Sequence, residues 1–512
     1  MKNINCFRPV SLSVRLLLIT TSVVATLLHS SCQKPAMESV KNNVETGLKG
    51  SKEPFLSVTD ADFVKGADVG HVTRMENEGK VFFNTTDQQD LFTIMKERGI
   101  NTIRIRVWVN STGSFVYNSL NDVVAKAVRA KNAGMKVFIV FHYSDTWADP
   151  WHQSKPSAWS GYSFNDLKTA VSNHTTTTIN ALIANGVTPA YVEVGNEVDN
   201  GMLWPTGQIP AGNMANFAGL YKAGYDAVKA INPAIKVMVH FSKGFDNDSC
   251  KNVLNGLVAN GAAFDVIGLS AYPSTGNFST ILTQTNANMQ DLVATYNKDI
   301  MIAECGYLQS DPVTSRLMIS TLLNDFSNLA GGKGIGVCYW EPQYYDRPPV
   351  NKSMFNATSK SPTLAIDAFS LVKNPGFEVD NAATQTPVNW TTGGTNPEAN
   401  YTEATAHSGA YRLTHYKNAA YAVSTSQTIT GLPNGTYTFQ AWVISPYAMT
   451  TNKLFAKDFG AGQIDANITV AAGWQKVRIT GINVTNGQCT IGFYTSGNAK
   501  YCSFDDVEFY KQ

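Results

Sequence analysis

Short apolar runs rich in β-branched residues alternate, through most of the chain, with longer stretches in which apolar residues recur every three or four positions. The short runs predict buried strands, and the longer stretches predict amphipathic helices. The predicted strands are Phe63–Val69, Thr102–Trp108, Lys136–His142, Tyr191–Glu197, Lys236–Phe241, Phe264–Tyr272, Asp299–Glu304 and Gly334–Glu341. The predicted helices include Asp87–Arg98, Leu120–Ala133, Asn165–Ala184, Met214–Ile231 and Thr314–Leu329, and Thr363–Leu371 would supply the closing helix.

Repeated strand–helix units of this kind predict an α/β fold, a (β/α)8 TIM barrel. A doubly wound open sheet is the alternative, but it would carry a glycine-rich phosphate loop after its first strand. The segment Gly66-Ala-Asp-Val-Gly70 matches such a loop poorly. The barrel is therefore the preferred interpretation.

The barrel interpretation requires functional groups at the C-terminal ends of the strands. Every predicted strand does end in a polar or aromatic side chain, where chance would supply Gly, Ser and Asn more often. These residues are Asp68, Arg106 with Trp108, His142 with Asp145, Asn196 with Glu197, His240, Tyr272, Glu304, and Trp340 with Glu341.

Two of these strand ends carry a glutamate directly after a buried apolar run, at Glu197 and Glu304. An unpaired carboxylate in such a place costs several kcal/mol, so it must have a partner or a use. Two carboxylates that converge on one cleft are what glycoside hydrolysis needs, one as acid/base and one as nucleophile or second base. The alternative is a pair of structural glutamates satisfied by Arg or Lys.

The pattern changes after Lys373, where helical periodicity stops. Short strands rich in Thr, Tyr and Val follow, separated by Gly, Pro and Asn turns. Examples are Thr436–Ser445, Gln475–Ile479, Cys489–Tyr494 and Phe504–Tyr510. This pattern predicts an all-β sandwich or jelly roll over residues 374–512, and it bounds the barrel domain at residues 58–373.

Residues 1–32 have the features of an export signal. Basic residues precede the apolar stretch Leu16–Leu28, which is too short for a comfortable membrane span. Small residues before Cys32 resemble a bacterial lipoprotein processing site, so lipidation of Cys32 is expected, with ordinary cleavage nearby as the alternative. Residues 33–57 are polar and unpatterned and predict a flexible linker. The protein is therefore expected outside the cytoplasm, as a surface or outer-membrane lipoprotein or in periplasmic or secreted form.

Composition limits the classes of molecule that the protein is expected to bind. The formal net charge is only +1, so the chain lacks the excess of basic residues that is typical of nucleic-acid-binding proteins. Aromatic residues, at 11% of the chain, can stack on sugars. No cysteine spacing is typical of a zinc site; Cys250, Cys305 and Cys338 are expected as small buried apolar residues. A disulfide between Cys489 and Cys502, expected on neighbouring strands, is an open option in an exported protein.

Several strings in the barrel region resemble glycoside hydrolase family 53, whose members are endo-β-1,4-galactanases. The resemblance covers about residues 60–370. The strings are Gly66-Ala-Asp-Val, Thr102-Ile-Arg-Ile-Arg-Val-Trp-Val-Asn110, Phe141-His-Tyr-Ser-Asp-Thr-Trp-Ala-Asp-Pro150, Gln153-Ser-Lys-Pro-Ser-Ala-Trp159, Val194-Gly-Asn-Glu197, Val266-Ile-Gly-Leu-Ser-Ala-Tyr-Pro273 and Trp340-Glu-Pro342.

The resemblance implies that Glu197 is the acid/base and Glu304 the nucleophile of a retaining endo-hydrolase. An arginine of the second strand would keep Glu304 ionised, and Asn196 would hydrogen-bond the sugar hydroxyl beside the reacting carbon. The substrate-binding candidates are Asp68, Arg104, Arg106, Trp108, His142, Asn196, His240, Tyr272 and Trp340. The loop that follows the third strand is expected to be shaped by Asp145, Trp147 and Asp149.

The implied substrate is the β-1,4-galactan side chain of pectin, cleaved without a cofactor by a monomer. The alternatives are another hydrolase of the same clan, such as a mannanase or cellulase, and a non-catalytic glycan-binding lipoprotein. In the C-terminal domain, Asn374-Pro-Gly-Phe-Glu378 and Phe504-Asp-Asp-Val-Glu-Phe-Tyr510 resemble carbohydrate-binding modules, with a purely structural role as the alternative. Such modules often hold a structural calcium ion, to which Glu378, Asp505 and Asp506 could contribute; that ion is not part of the prediction.

Overall fold

The computed structural model of the protein describes residues 63–347 and 351–512. The expected signal, the lipidation site at Cys32 and the linker to residue 57 lie outside the described residues and stay predictions. Within the described ranges, no helix is both long and apolar enough to cross a membrane.

Eight parallel strands close into a barrel, which confirms the predicted fold class. The strands are β1 (Val64–Asp68), β2 (Thr102–Val107), β3 (Lys136–Phe141), β4 (Tyr191–Val194), β5 (Lys236–Phe241), β6 (Val266–Ala271), β7 (Asp299–Cys305) and β8 (Gly334–Trp340). Each strand pairs with its sequence neighbours, and β1 closes the ring against β8. All the strand ends of the sequence analysis therefore meet at one face of the barrel.

Helices pack around the barrel and bury the outward faces of the strands. They are α1 (Val72–Asn77), α2 (Leu91–Glu97), α3 (Leu120–Asn132), α4 (Phe164–Ala184), α5 (Met214–Ile231), α6 (Asn247–Ala259), α7 (Phe278–Tyr296) and α8 (Pro312–Ser327). Two predictions need correction. Helix α2 begins only at Leu91, because Asp90 caps it by accepting a hydrogen bond from the Thr93 amide. The expected closing helix is a short 3₁₀ segment, Leu364–Phe369.

Inside the barrel, an apolar layer lies beneath a charged one. The apolar layer consists of Val64, Phe138, Val140, Tyr191, Met238, Val266, Met301, Ala303 and Cys338. Two residues further along β4 and β5, the same inward face carries Glu193 and His240, both fully buried. The barrel is thus packed at its N-terminal end and polar towards its C-terminal end.

Strand β7 contains a bulge that decides which way its glutamate points. Leu269 of β6 faces Ile302, whereas the next residue, Ser270, faces Glu304, so Ala303 is an extra residue in β7. Ala303 already packs inside the barrel, and regular alternation would turn Glu304 towards the helices. The bulge turns Glu304 inward as well.

The C-terminal region folds as two five-stranded antiparallel sheets, as predicted. Its strands are β9 (Thr391–Gly394), β10 (Asn400–Ala404), β11 (Tyr411–His415), β12 (Ala420–Thr430), β13 (Gly435–Ser445), β14 (Thr451–Lys457), β15 (Ile464–Asn467), β16 (Ala471–Val484), β17 (Gln488–Asn498) and β18 (Cys502–Lys511). The orders are β9-β12-β17-β14-β15 and β10-β11-β18-β13-β16.

The optional disulfide of this domain is not formed. Cys489 and Cys502 are both buried free thiols. They lie on β17 and β18, which belong to different sheets rather than being paired neighbours. Strand alternation alone cannot assign consecutive strands to one sheet or the other, which is why the expectation of adjacent strands was wrong.

A buried polar cluster joins the sandwich to helix α2 of the barrel. Arg98 Nε lies 3.3 Å from Glu508 Oε1, and Arg98 Nη2 donates to Asn84 Oδ1 at 2.7 Å. Asn84 Nδ2 donates in turn to Glu508 Oε1 at 2.9 Å and to Glu97 Oε2 at 2.6 Å. Because Arg98 and Glu508 are at most 8% exposed, each is the main source of compensation for the buried charge of the other.

Candidate active site

The carboxyl ends of the barrel strands surround a cavity of about 230 Å³. Its wall contains two glutamates, an amide, three aromatic rings and a lysine. The lining residues are Trp147, Ala148, Asp149, Asn196, Glu197, Tyr272, Glu304, Trp340 and Lys352. Both predicted catalytic glutamates and three of the predicted substrate-binding residues therefore meet in one place.

Glu304 is held by two donors from different strands. Its Oε1 accepts a hydrogen bond from Arg104 Nη1 at 2.6 Å, and its Oε2 accepts one from the Tyr272 hydroxyl at 2.8 Å. An ionised carboxylate only accepts hydrogen bonds, and these two donors fix its orientation. The arrangement suits an anionic nucleophile whose position is set before substrate arrives.

Arg104 is the centre of the charged layer below the cavity. It is 1% exposed, and besides Glu304 it donates to Asp68 Oδ2 at 2.8 Å, to Glu193 Oε2 at 2.9 Å and to Asn196 Oδ1 at 3.0 Å. The sequence left open whether Arg104 or Arg106 would hold Glu304. In the structure Arg104 does so, from beneath rather than from the cavity wall.

Glu197 has a different environment. It follows the end of β4 by three residues, where Gly195 (φ 84°) and Glu197 itself (φ 46°) take the left-handed conformation, so the predicted strand ends earlier than expected. Its Oε1 accepts a hydrogen bond from Ser270 Oγ at 2.8 Å. Burial, and secondarily the charge of Glu304, raise the pKa of Glu197 to about 8.

The two glutamates therefore differ in the way that acid and nucleophile must differ. A carboxyl group with a pKa near 8 keeps its proton at neutral pH and can act as a general acid. Its neighbour is fixed by a guanidinium and a phenol. A pair of purely structural glutamates, the alternative raised by the sequence, would not need contrasting environments on a shared cavity.

Asn196 links Arg104 of the charged layer to the loop that carries Ala148. Its Oδ1 accepts from Arg104, and its Nδ2 donates to the Ala148 carbonyl at 2.8 Å. An amide nitrogen has two hydrogens, and Asn196 also lines the cavity, so it has a donor to offer to a sugar hydroxyl. This placement suits the predicted contact with the hydroxyl beside the reacting carbon.

Aromatic rings form the remaining walls. Trp340 lies 6.4 Å from Trp147 between ring centroids, and Lys352 Nζ lies 5.1 Å from the centroid of Tyr272. Trp147 also stacks over the Arg106 guanidinium at 4.3 Å. Trp340 is half-buried and lines the cavity, and Trp147, which the sequence analysis assigned to loop shape, lines the cavity beside it.

Three other predicted residues lie behind the wall. Asp68 accepts from both Arg104 and Arg106, at 2.8 and 3.0 Å, and is 1% exposed. Burial raises the pKa of Asp68 to about 7 against the opposing effect of the two guanidiniums. Arg106 Nη2 also reaches Glu341 Oε1 at 2.5 Å. Asp68, Arg104 and Arg106 therefore form an ion-pair network under the cavity rather than its lining.

Trp108 and His142 are also buried. Their rings meet edge to face at 6.2 Å, and His142 Nδ1 accepts a hydrogen bond from the Ala148 amide at 2.9 Å. Burial, with help from Arg106 and Arg104, holds the pKa of His142 well below its usual range, so its imidazole is neutral. Both residues support the loop that carries Trp147 and Ala148. Trp108 also lines a small pocket next to the main cavity.

Residues of the third loop fix its shape, as predicted. Asp145 Oδ2 accepts from the Ser157 amide and hydroxyl at 2.8 and 2.7 Å, and Asp149 Oδ1 accepts from the Trp151 and His152 amides, both at 2.8 Å. Gln153 begins one of the family strings, but the sequence analysis gave it no role; its side chain donates to the Asn196 carbonyl at 2.8 Å. This bond ties the loop to the segment that carries Glu197.

The sequence analysis placed His240 among the substrate-binding residues, but its ring is fully buried. Nδ1 lies 2.8 Å from Glu193 Oε1, and Nε2 lies 2.9 Å from Ser270 Oγ. Glu193 and Ser270 were both missed. A charged residue in the middle of an apolar strand was the available signal for Glu193, because only another charge inside the barrel could compensate it. Ser270 lies within the family string Val266–Pro273, but nothing in that string gave it a role of its own.

The described residues contain no group of His, Cys, Asp and Glu side chains that could hold a metal ion. Asp505, one of the residues named for a structural calcium ion, instead accepts backbone hydrogen bonds from His407 and Ser408, at 2.8 and 3.2 Å. Glu378 similarly accepts from the amides of Ala410 and Tyr411. The absence of a cofactor requirement stays a prediction.

Comparison with known proteins gives a consistent picture. The family described as Glycosyl hydrolase family 53 matches residues 64–386. The probable arabinogalactan endo-β-1,4-galactanase A of Aspergillus fumigatus is 34% identical over 322 residues, which cover 58% of this chain and 89% of the fungal protein. The endo-β-1,4-galactanase of Bacillus subtilis is 32% identical over 353 residues, or 62% of this chain and 80% of the relative.

The similar solved structures also include a galactanase and a catalytic domain of this family. A fungal β-1,4-galactanase structure is 30% identical with a TM-score of 0.54, and the match covers 59% of this chain and 98% of the other. The GH53 catalytic domain of Ignisphaera aggregans is 29% identical with a TM-score of 0.55, covering 62% of this chain and 98% of that domain. In each comparison, nearly the whole of the other protein is matched by little more than half of this one.

Proposed function

The chain belongs to glycosyl hydrolase family 53, and from that premise we propose that it cleaves internal β-1,4-galactosidic bonds of galactan with Glu197 as acid/base and Glu304 as nucleophile. It is a glycoside hydrolase, and the galactanase names of its relatives support galactan as substrate. The observation that carries the residue roles is the contrast between the two carboxyl groups on one cavity.

The geometry supports a double displacement. In the first step Glu304 attacks the anomeric carbon while Glu197 gives its proton to the departing glycosidic oxygen, which leaves a galactosyl ester on Glu304. In the second step Glu197, now a carboxylate, takes a proton from water as the water oxygen attacks the same carbon and breaks the ester. Configuration at that carbon is retained.

Substrate preference is the first testable prediction. Galactose differs from glucose and mannose in its axial hydroxyl, and a buried polar site rejects a misplaced hydroxyl because its own groups are then left unpaired. We expect release of reducing ends from β-1,4-galactan to exceed release from mannan, xylan and carboxymethyl-cellulose by about a hundredfold or more. A reducing-end assay on this panel, with viscosity measured in parallel to show internal cleavage, checks the expectation.

The Glu304→Gln variant, purified identically, controls for contaminating hydrolases in this panel. Comparable rates on mannan or carboxymethyl-cellulose would move the chain to another hydrolase type of the same clan. A wild-type rate no higher than that of Glu304→Gln on every polysaccharide would instead favour the non-catalytic binding protein.

For the C-terminal sandwich, we propose contact with the polysaccharide. Partly exposed rings and one cation lie side by side on it: the Arg412 guanidinium is 6.0 Å from the centroids of both Trp474 and Tyr501, and Tyr501 meets Tyr447 at 5.8 Å. Tyr447 is 49% exposed. Aromatic faces beside polar donors are a surface that suits sugar rings.

The second prediction tests this surface. Tyr501→Ala should weaken binding of the protein to insoluble galactan by about three- to tenfold, because a stacking contact contributes about 0.5–1.5 kcal/mol. Tyr501→Phe keeps the aromatic face and should bind within about twofold of the wild type. Equal retention of all three proteins on the polysaccharide, at equal melting temperature, would assign the sandwich a structural role.

A further inference from the structure

His240 and Ser270 stand between the charged layer and the proposed acid/base. His240, on β5, is fully buried and uses both ring nitrogens, towards Glu193 Oε1 at 2.8 Å and towards Ser270 Oγ at 2.9 Å. Ser270, on β6, is 1% exposed and donates to Glu197 Oε1 at 2.8 Å. The result is an unbroken line of three hydrogen bonds from Glu193 to Glu197.

The direction of each bond follows from two premises: Glu193 is an ionised acceptor, and the Ser270 hydroxyl donates to Glu197. Glu193 is a buried carboxylate that also accepts from Arg104, so the Nδ1 nitrogen of His240 must donate to it. The Ser270 hydroxyl has one hydrogen, which it gives to Glu197, so its oxygen accepts from Nε2 of His240. Both ring nitrogens therefore carry hydrogen, and the imidazole is a cation.

The other charged groups around the ring are consistent with this state. Burial lowers the pKa of His240, but the charge and hydrogen bond of Glu193, with a contribution from Glu304, outweigh it and raise the pKa. Arg104 acts in the opposite sense. Burial likewise opposes ionisation of Glu193, yet Arg104 and His240 hold the pKa of Glu193 below its usual range.

We propose that Ser270 and His240 are positioning residues for catalysis, which hold Oε1 of Glu197 as a hydrogen-bond acceptor and so keep the catalytic proton on Oε2. The inference rests on the proposed acid/base role of Glu197. When Glu197 gives up its proton, the Ser270 hydroxyl and the His240 cation stabilise the carboxylate that remains. The same pair holds that carboxylate in place to take a proton from water in the second step.

The pair also shifts the pH range of activity. Burial, Glu304 and Asp199 raise the pKa of Glu197, whereas His240 and Ser270 lower it, to a net value of about 8. Activity that requires protonated Glu197 falls as the pH rises through that value. Removing the hydroxyl removes a stabilisation of the charged form, so the pKa must rise and the alkaline limb of the profile must move to higher pH.

The test compares pH profiles of kcat/KM on β-1,4-galactan for four proteins. Ser270→Ala should move the alkaline limb up by about one pH unit, with kcat about tenfold lower, because it removes one hydrogen bond to a charged group. Ser270→Thr keeps the hydroxyl and should restore the wild-type limb. Ser315→Ala, which removes a buried hydroxyl bonded to Tyr339 on the far side of β8, should leave the limb where it is. An unmoved limb in Ser270→Ala, or no recovery in Ser270→Thr, overturns the proposal.

A second variant tests the charge of His240 separately from its hydrogen-bond geometry, and it provides an independent test if Ser270→Ala does not fold. His240→Gln can place an amide donor near Ser270 without the positive charge, so its alkaline limb should also move up. An unchanged limb in a folded His240→Gln protein would show that the cation contributes nothing, and would overturn the role of His240. Thermal melting of each variant identifies any that does not fold.

Failure of this inference can be distinguished from failure of the proposed function. Glu197→Ala should cleave a dinitrophenyl β-galactobioside, whose leaving group needs no acid, and azide should accelerate that cleavage and yield the β-configured galactosyl azide. If azide has no effect, the acid/base role of Glu197 fails and the positioning proposal falls with it. If azide does rescue Glu197→Ala while Ser270→Ala keeps the wild-type limb, only the positioning proposal fails.

Discussion

Replacing Glu304 with glutamine is expected to lower kcat on β-1,4-galactan by about three orders of magnitude or more, with a much smaller change in KM. The amide has nearly the shape of the carboxylate, so the contacts that hold the sugars remain. It lacks the negative charge that attacks the anomeric carbon, and the Arg104 guanidinium, 2.6 Å away, can no longer pair with an anion there.

Steady-state kinetics on soluble galactan measure this loss, and the stereochemistry of rescue identifies its cause. With Glu304→Gly, azide can take the place of the missing nucleophile and should give the α-configured galactosyl azide from an activated aryl galactobioside. A matched control is Glu398→Gln, an exposed glutamate of the sandwich that pairs with Lys417. Near-normal turnover by Glu304→Gln would remove that residue from the nucleophile role.

Replacing Glu508 with methionine is expected to lower the free energy of unfolding by about 3–5 kcal/mol, because it leaves the buried Arg98 charge without its closest carboxylate. It also removes one of the two carboxylates that accept from the Asn84 amide, the other being Glu97. Methionine is close to glutamate in length, so the loss reflects charge and hydrogen bonding more than volume. Asp367, 3.7 Å from Arg98, compensates only in part. Urea unfolding followed by circular dichroism measures the difference.

Glu403→Met is the control, since the Glu403 carboxylate is 36% exposed and water can replace its ion pair. Its effect should stay within about 1 kcal/mol. A Glu508→Met protein as stable as the wild type would mean that the polar cluster between the sandwich and helix α2 adds no net stability. That result would also make a chain ending near Lys373 a realistic independent enzyme.

The sequence predicted the barrel well because its strands are almost uniformly apolar and its helices follow a 3.6-residue period. Helix α5 has the predicted bounds, and so does strand β5. The two glutamates were found for the same reason, since a carboxylate at the end of an apolar run stands out. Residues whose role depends on a neighbouring strand were harder to predict.

Glu193 and Ser270 illustrate that limit. Each fits the inward and outward alternation of side chains in its own strand, but the sequence does not indicate that His240 lies between the two. The opposite case is given by Asp68, Arg106 and His142, for which the sequence predicted sugar contacts although they lie behind the cavity wall. A strand end points towards the active face, but the sequence does not reveal whether a side chain reaches the cavity or is covered by a loop, as Arg106 and His142 are by the loop that carries Trp147.

The bulge in β7 has a consequence for sequence alignment and for enzyme engineering. Glu304 points inward only because Ala303 adds a residue that β6 does not match. A gap-free alignment with a barrel whose seventh strand is regular would pair Glu304 with a residue that faces the helices, and would report this glutamate as missing. An engineer who moved this pair of carboxylates into another barrel would have to insert one residue, because substitution at the aligned position would bury the charge against the helices.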